Sequence, residues 1–227
     1  MIPALFKIAA LLPLSLLLAS QAASATPVSG REAGEPPASA LAGPPANALE
    51  LMGNLHDALH GGQAFDKGFY TEENVRKLTA ARQVWVVRHQ GAPERHEVAG
   101  VSFAAAGGPR SGVSFRLQLE IAPNGDQRVI VDGHALSEQP LLHAPAIEKL
   151  LGHVWKDGRQ IAGSDGSHRQ YRYSKDGAVE NGHFKFTPGG LLENFVMIRK
   201  EPAKPGEPVQ FEDRFDGGGF VPGRYSR

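Results

Sequence analysis

The chain has 227 residues, no cysteine, and 24 basic against 24 acidic side chains. Without cysteine it has no disulfides, no thiol catalysis and no thiolate metal sites. Balanced, interspersed charge gives neither the basic stripe that binds nucleic acid nor the polybasic surface that binds anionic lipid.

Residues 1–25 read as a secretory signal peptide. Lys7 supplies the positive charge, residues 8–18 the apolar run, and Ala23-Ser24-Ala25 the small-x-small cleavage pattern. Cleavage is expected between Ala25 and Thr26. The apolar run is shorter than the ~20 residues needed to span a bilayer, and no later segment is more apolar. The mature chain is therefore expected in the periplasm or the extracellular medium, with no membrane span. Residues 26–46 are rich in Pro, Ala, Gly and Ser and have no apolar period. They cannot bury enough surface to offset the entropy of ordering, and read as a disordered spacer. One domain is expected over residues 47–227.

That domain opens on a capping-box pattern, Asn47 with Glu50. The stripe Ala48, Leu51, Met52, Leu55 and Leu59 comes next, and Gly61-Gly62 ends the helix. Thr71-Glu72-Glu73 starts a second helix, with Val75 and Leu78 inward, running to about Arg82. Strands succeed it, at Val84-Trp85-Val86-Val87 and over residues 94–104. Val113, Phe115, Leu117, Leu119 and Ile121 then alternate with Ser114, Arg116, Gln118 and Glu120, which predicts one buried face and one wet face. Ala122-Pro123-Asn124-Gly125-Asp126 breaks the run, and residues 128–132 resume it. Asn-Gly between apolar runs signals a hairpin, because both residues tolerate positive φ.

Pro145, Ile147, Leu150 and Leu151 predict a short helix stopped by Gly152. Further strands are expected at residues 169–173, 179–187 and 191–199, and a last one through Val209, Phe211 and Phe215. The fold class is α+β. A mostly antiparallel β-meander of about seven to nine strands, able to curl into a half-barrel, is covered by two N-terminal helices and one short mid-chain helix. The order helix, strands, helix, strands is similar to that of the half-barrels of periplasmic lipoprotein carriers, in architecture alone.

His56-Asp57-Ala58-Leu59-His60 carries the clearest chemical signal. Two His at i and i+4 project from one helix face and can share a zinc ion. Asp57 stands where the zincin pattern H-E-x-x-H, which this stretch resembles, has its general base. Asp66 follows His56 at the spacing of a third ligand. Against a catalytic zinc stand the shorter reach of Asp, the helix end at Gly61-Gly62, and the lack of any preceding sheet to hold substrate. Metal binding through His56, His60 and Asp66 remains an open alternative. Tyr171 and Tyr173, flanked by Arg169 and Arg172, are a candidate binding face. Glu180, Glu193, Glu212 and Asp213 could supply paired carboxylates for glycoside chemistry, but read as wet-face residues. No nucleophile elbow, phosphate loop or dinucleotide fingerprint is present.

The sequence therefore favours an exported, non-catalytic binding or interaction protein of the inhibitor, immunity or envelope-accessory type. Its expected partner is an envelope or extracellular protein, and it needs no cofactor. The first alternative is a carrier of an apolar ligand, such as a lipid or lipoprotein acyl chain, in a curled sheet. The second is a metal-dependent hydrolase, with zinc held at His56 and His60 and Asp57 as its base.

Overall fold

The computed structural model describes residues 43–211, apart from 90, 92, 104–111 and 164–165. The expected signal peptide, most of the expected spacer and the expected glycine loop at 105–109 lie outside the described residues, as do Glu212, Asp213 and Phe215. Three α-helices, α1 (Ala48–His60), α2 (Glu72–Thr79) and α3 (Ala144–Leu151), cover one face of a sheet. Its strands are β1 (Gln83–His89), β2 (Glu94–Ser102), β3 (Val113–Ile121), β4 (Gln127–Ala135), β5 (Arg159–Gly163), β6 (Gly166–Lys175), β7 (Ala178–Phe186) and β8 (Leu192–Glu201). The spatial order is β1-β2-β3-β4-β8-β7-β6-β5, and every pair is antiparallel. Among the described residues β1 and β5 are the two edge strands, and the sheet does not close. No helix of the described residues is long and apolar enough to cross a membrane.

The chain runs inward as one meander, crosses by α3 to the far edge, and returns as a second meander. β8 then pairs with β4 in the middle of the sheet. α1 lies against β4 and β8, with α2 and α3 beside it. Asn47 Oδ1 caps α1 by accepting from the N–H groups of Leu49 and Glu50, both at 3.0 Å. Glu50 reaches back to the Ala46 N–H at 2.8 Å. The stripe Leu51, Met52, Leu55 and Leu59 is fully buried. At the other end, the Arg199 guanidinium of β8 donates to the carbonyls of Leu59 and His60. A cation there satisfies the orphan carbonyls and the negative end of the helix dipole.

Several local expectations are corrected. α2 stops at Thr79, three residues short of Arg82, because Ala80 turns left-handed and Arg76 binds the carbonyls of Ala81 and Arg82. Gly152 does end α3, as its C-cap with φ of 55°, but a 3-10 helix that was not expected, Gly152–Asp157, follows directly. β5 carries no alternation that would have announced it. Residues 209–211 are not a strand; Phe211 instead stacks 4.7 Å from the Arg128 guanidinium. Asp126 anchors this segment, accepting from the N–H groups of Ala203 and Gln210 at 2.9 and 2.8 Å. Those two bonds hold its carboxyl below the usual carboxylate range.

The central hairpin is present, with Ile121 opposite Gln127. Its loop is not a two-residue Asn-Gly turn. Pro123 leads a turn closed by Gly125 N–H to Ala122 O at 2.9 Å, and only Gly125 takes positive φ, at 90°. Pro at i+1 and Gly at i+3 are the positions this turn favours. Leu117 and Phe115 share the buried face as expected. Gln118 and Glu120, expected to be wet, are buried at 8% and 2% exposure. Glu120 is clamped by Arg95 at 2.9 Å, by Arg128, and by the Gln118 amide at 2.6 Å. β3 is thus covered on both sides, by apolar packing inside and by an ion cluster outside.

Candidate metal centre

The site begins with a missing side chain. On the inner face of the sheet, Tyr171 of β6 pairs with Gly182 of β7, and Tyr173 pairs with Glu180. A Cβ on Gly182 would lie 2.0 Å from Tyr171 Cε1. Only glycine lets the ring lie across β7. From there the Tyr171 hydroxyl donates to Glu180 Oε1 at 2.8 Å. Glu180 is 1% exposed.

α1 brings two imidazoles to this carboxylate. His60 Nδ1 is 2.9 Å from Glu180 Oε2, and His56 Nε2 is 3.7 Å from Oε1. The i, i+4 spacing stacks the two rings, with centroids 5.3 Å apart and planes 11° from parallel. Asp57 Oδ1 faces His56 Nδ1 at 3.4 Å. His56 Nε2 is buried and, among the described residues, has no hydrogen-bond partner. One donor atom each from His56, His60 and Glu180 lies within 4.8 Å of the others. A tetrahedral zinc with bonds of ~2.0–2.1 Å holds its ligand atoms ~3.3–3.4 Å apart.

Burial pushes the Glu180 carboxyl up. Hydrogen bonds from His60 and Tyr171, and the charges of His56 and His60, outweigh it and leave the group below its ordinary value. Glu180 is therefore an anion near neutral pH. Burial, and then the Glu180 charge, push Tyr171 well above the usual phenol value, so it stays a neutral donor. The donor set is two imidazoles and one carboxylate. Each end has outer support, Asp57 on His56 and Tyr171 on Glu180, as metal ligands commonly do.

The surroundings are aromatic and polar. The ring of His153, on the Gly152–Asp157 helix, meets His60 edge-on at 5.2 Å between centroids. Tyr173 packs on both, at 5.2 Å from His60 and 5.8 Å from His153. An open cleft of about 370 Å³ adjoins the site, lined by His60, Tyr173, Lys175, Glu180, Arg199 and Glu201 among others.

Of the sequence candidates, the structure brings together His56, His60, Glu180, Tyr171 and Tyr173, with Asp57 against His56, whereas Asp66, Arg169, Arg172 and Glu193 lie elsewhere. Asp66 takes no part in the group. It is exposed and caps the 3-10 helix Lys67–Phe69, accepting from the Gly68 N–H at 2.8 Å. The Asp57 side chain is 77% exposed and turned to His56. Arg169 pairs with Glu148 of α3. Arg172 is exposed and, by strand alternation, on the opposite face. Glu193 is an outer-face partner of Lys185, 3.2 Å away. Glu180 is the correction that matters: it stands on the inner face, not the wet one. Its parity with Phe184 and Phe186 was the readable signal, since residues two apart share a face. His153 had no signal of its own. Comparison of the chain with protein-family models, with curated proteins and with solved structures gives no match.

Proposed function

We propose that this chain is an exported binding protein whose ligand is a divalent transition metal ion, best matched by zinc, held without catalysis by His56, His60 and Glu180. The observation that carries the reading is His56 Nε2. A buried polar atom without a hydrogen bond costs ~1–3 kcal/mol, and this one lies 3.7 Å from a carboxylate oxygen, beside a second, stacked imidazole. Asp57 beside Nδ1 favours the tautomer with its proton there, which leaves the Nε2 lone pair for a metal. Imidazole nitrogens with a carboxylate are ligands that suit zinc.

Two observations support binding over the alternatives. Asp57 is engaged with His56, so it is not poised as a general base for a metal-bound water. The inner face that an acyl chain would need is packed with the protein's own Leu51, Leu55, Phe184, Phe195 and Met197. Export rests on the pattern in residues 1–25.

The test is titration of the tag-free protein with zinc chloride by calorimetry, with elemental analysis. One zinc per chain is expected. His56→Ala and Glu180→Gln lose it, and Asp66→Asn keeps it. No saturable binding by the folded protein overturns the reading.

A further inference from the structure

Resting on that metal reading, we infer that His153 is a fourth protein ligand, which swings in to close the coordination sphere. Three ligands leave a tetrahedral zinc with one open place for water, the arrangement of catalytic sites. The choice between a catalytic and a storage or transfer site therefore turns on what fills that place.

His153 is the side chain set to fill it. Its ring already abuts that of His60. The residue itself is exposed, so its rotamer is free to change on a fast timescale. Its backbone is fixed by the next two residues. Val154 is 1% exposed, and Trp155 packs edge-on against Tyr171 and Phe184 at 6.0 and 5.6 Å. Tyr171 is the residue that holds Glu180. The short helix carrying His153 is thus pinned to the same tyrosine that orients the carboxylate. Closure needs a side-chain rotation and no movement of an element, and such preorganisation spares the entropy of ordering a loop. Tyr173, in contact with both His60 and His153, walls the pair. A sphere of three imidazoles and one carboxylate has no place for a reactive water. It releases metal when His153 swings out.

The experiment compares the wild-type protein with His153→Ala, each loaded with zinc chloride for affinity and with cobalt(II) for its visible spectrum, before and after addition of azide. The exposed position leaves folding intact, checked by an unchanged thermal midpoint of the metal-free variant. A closed site predicts a wild-type cobalt spectrum indifferent to azide. His153→Ala is then expected to weaken zinc by at least ~10-fold, the loss that even an outer-shell change causes, and to become azide-sensitive. Equal zinc affinities, with azide already altering the wild-type spectrum, overturn the inference. That outcome leaves metal binding standing and promotes a hydrolytic site open to the cleft. Failure of the wild type to bind either metal overturns the metal reading itself, and this inference with it.

Discussion

In the β1–β4 half of the sheet the inner face is mainly apolar, with Val98, Phe115, Leu117, Leu119, Val129 and Val131 buried, and no acidic side chain is buried on it among the described residues. In the β5–β8 half the same layer holds Tyr171, Tyr173, Glu180 and Arg199 beside Phe184, Phe186, Phe195 and Met197. Both halves use one packing device, a glycine opposite an aromatic ring. Gly100 faces Phe115, and Gly182 faces Tyr171. A Cβ on Gly100 would come 2.7 Å from Phe115 Cζ, as one on Gly182 would meet Tyr171. The difference is a single phenolic oxygen. In the first half the ring only fills space. In the second it also delivers a hydrogen bond to a buried carboxylate. The charges obey the opposite rule outside: the first half keeps its buried ion cluster, around Glu120, on the outer face. A buried charge is tolerated only with partners. Glu120 has arginines, whereas Glu180 has two imidazoles that can also bind metal.

The largest expected effect breaks the apolar half alone. Leu117→Ala should cost ~2–5 kcal/mol, because it leaves a cavity in a packed core. Urea unfolding measures it, and zinc affinity should not change.

Gln118→Ala should cost ~1.5–3 kcal/mol, the value of a hydrogen bond to a charged group, since its amide donates to buried Glu120. A loss under ~0.5 kcal/mol, as at exposed positions, would restore the wet-face reading and weaken the contrast between the halves.

Gly182→Ala and Gly100→Ala sharpen the comparison directly. Each should cost ~1–3 kcal/mol by overpacking. Only Gly182→Ala should also displace Tyr171 from Glu180 and lower zinc affinity, by the ~10–100-fold typical of outer-shell changes. Equal zinc affinity in the two variants would mean that Tyr171 does not orient the carboxylate.

The smallest effect is in the pH profile. The folded value of Glu180 lies below the ordinary carboxylate value of 4.5. Its stabilising contribution is therefore complete above that value, and is lost as pH falls through the folded value. Glu180→Gln should flatten this acid limb of the metal-free stability curve, as monitored by circular dichroism. An unchanged limb would assign acid sensitivity to other carboxylates, Asp126 first, since its value is also lowered.

The sequence alone determined the capped α1, the alternating β3 and the helix-then-meander order. These depend on residues within a few positions of one another. Asn47 caps its own helix, and Leu117 shares a face with Phe115, because periods of 3.6 and 2.0 are properties of the local backbone. The pair His56 and His60 was legible for the same reason. Glu180 was half legible: its parity was in the strand, but its partner was not. Gln118 and Glu120 misled, because alternation reports one buried face and says nothing about what covers the other. Tertiary structure decided the rest. The return of the second meander to pair β8 with β4 sets β7 beneath the end of α1. It brings His60 within 2.9 Å of a carboxylate 120 residues away. No local period encodes that distance. It depends on which strands become neighbours and in what register, and hydrophobic burial over the whole sheet fixes both.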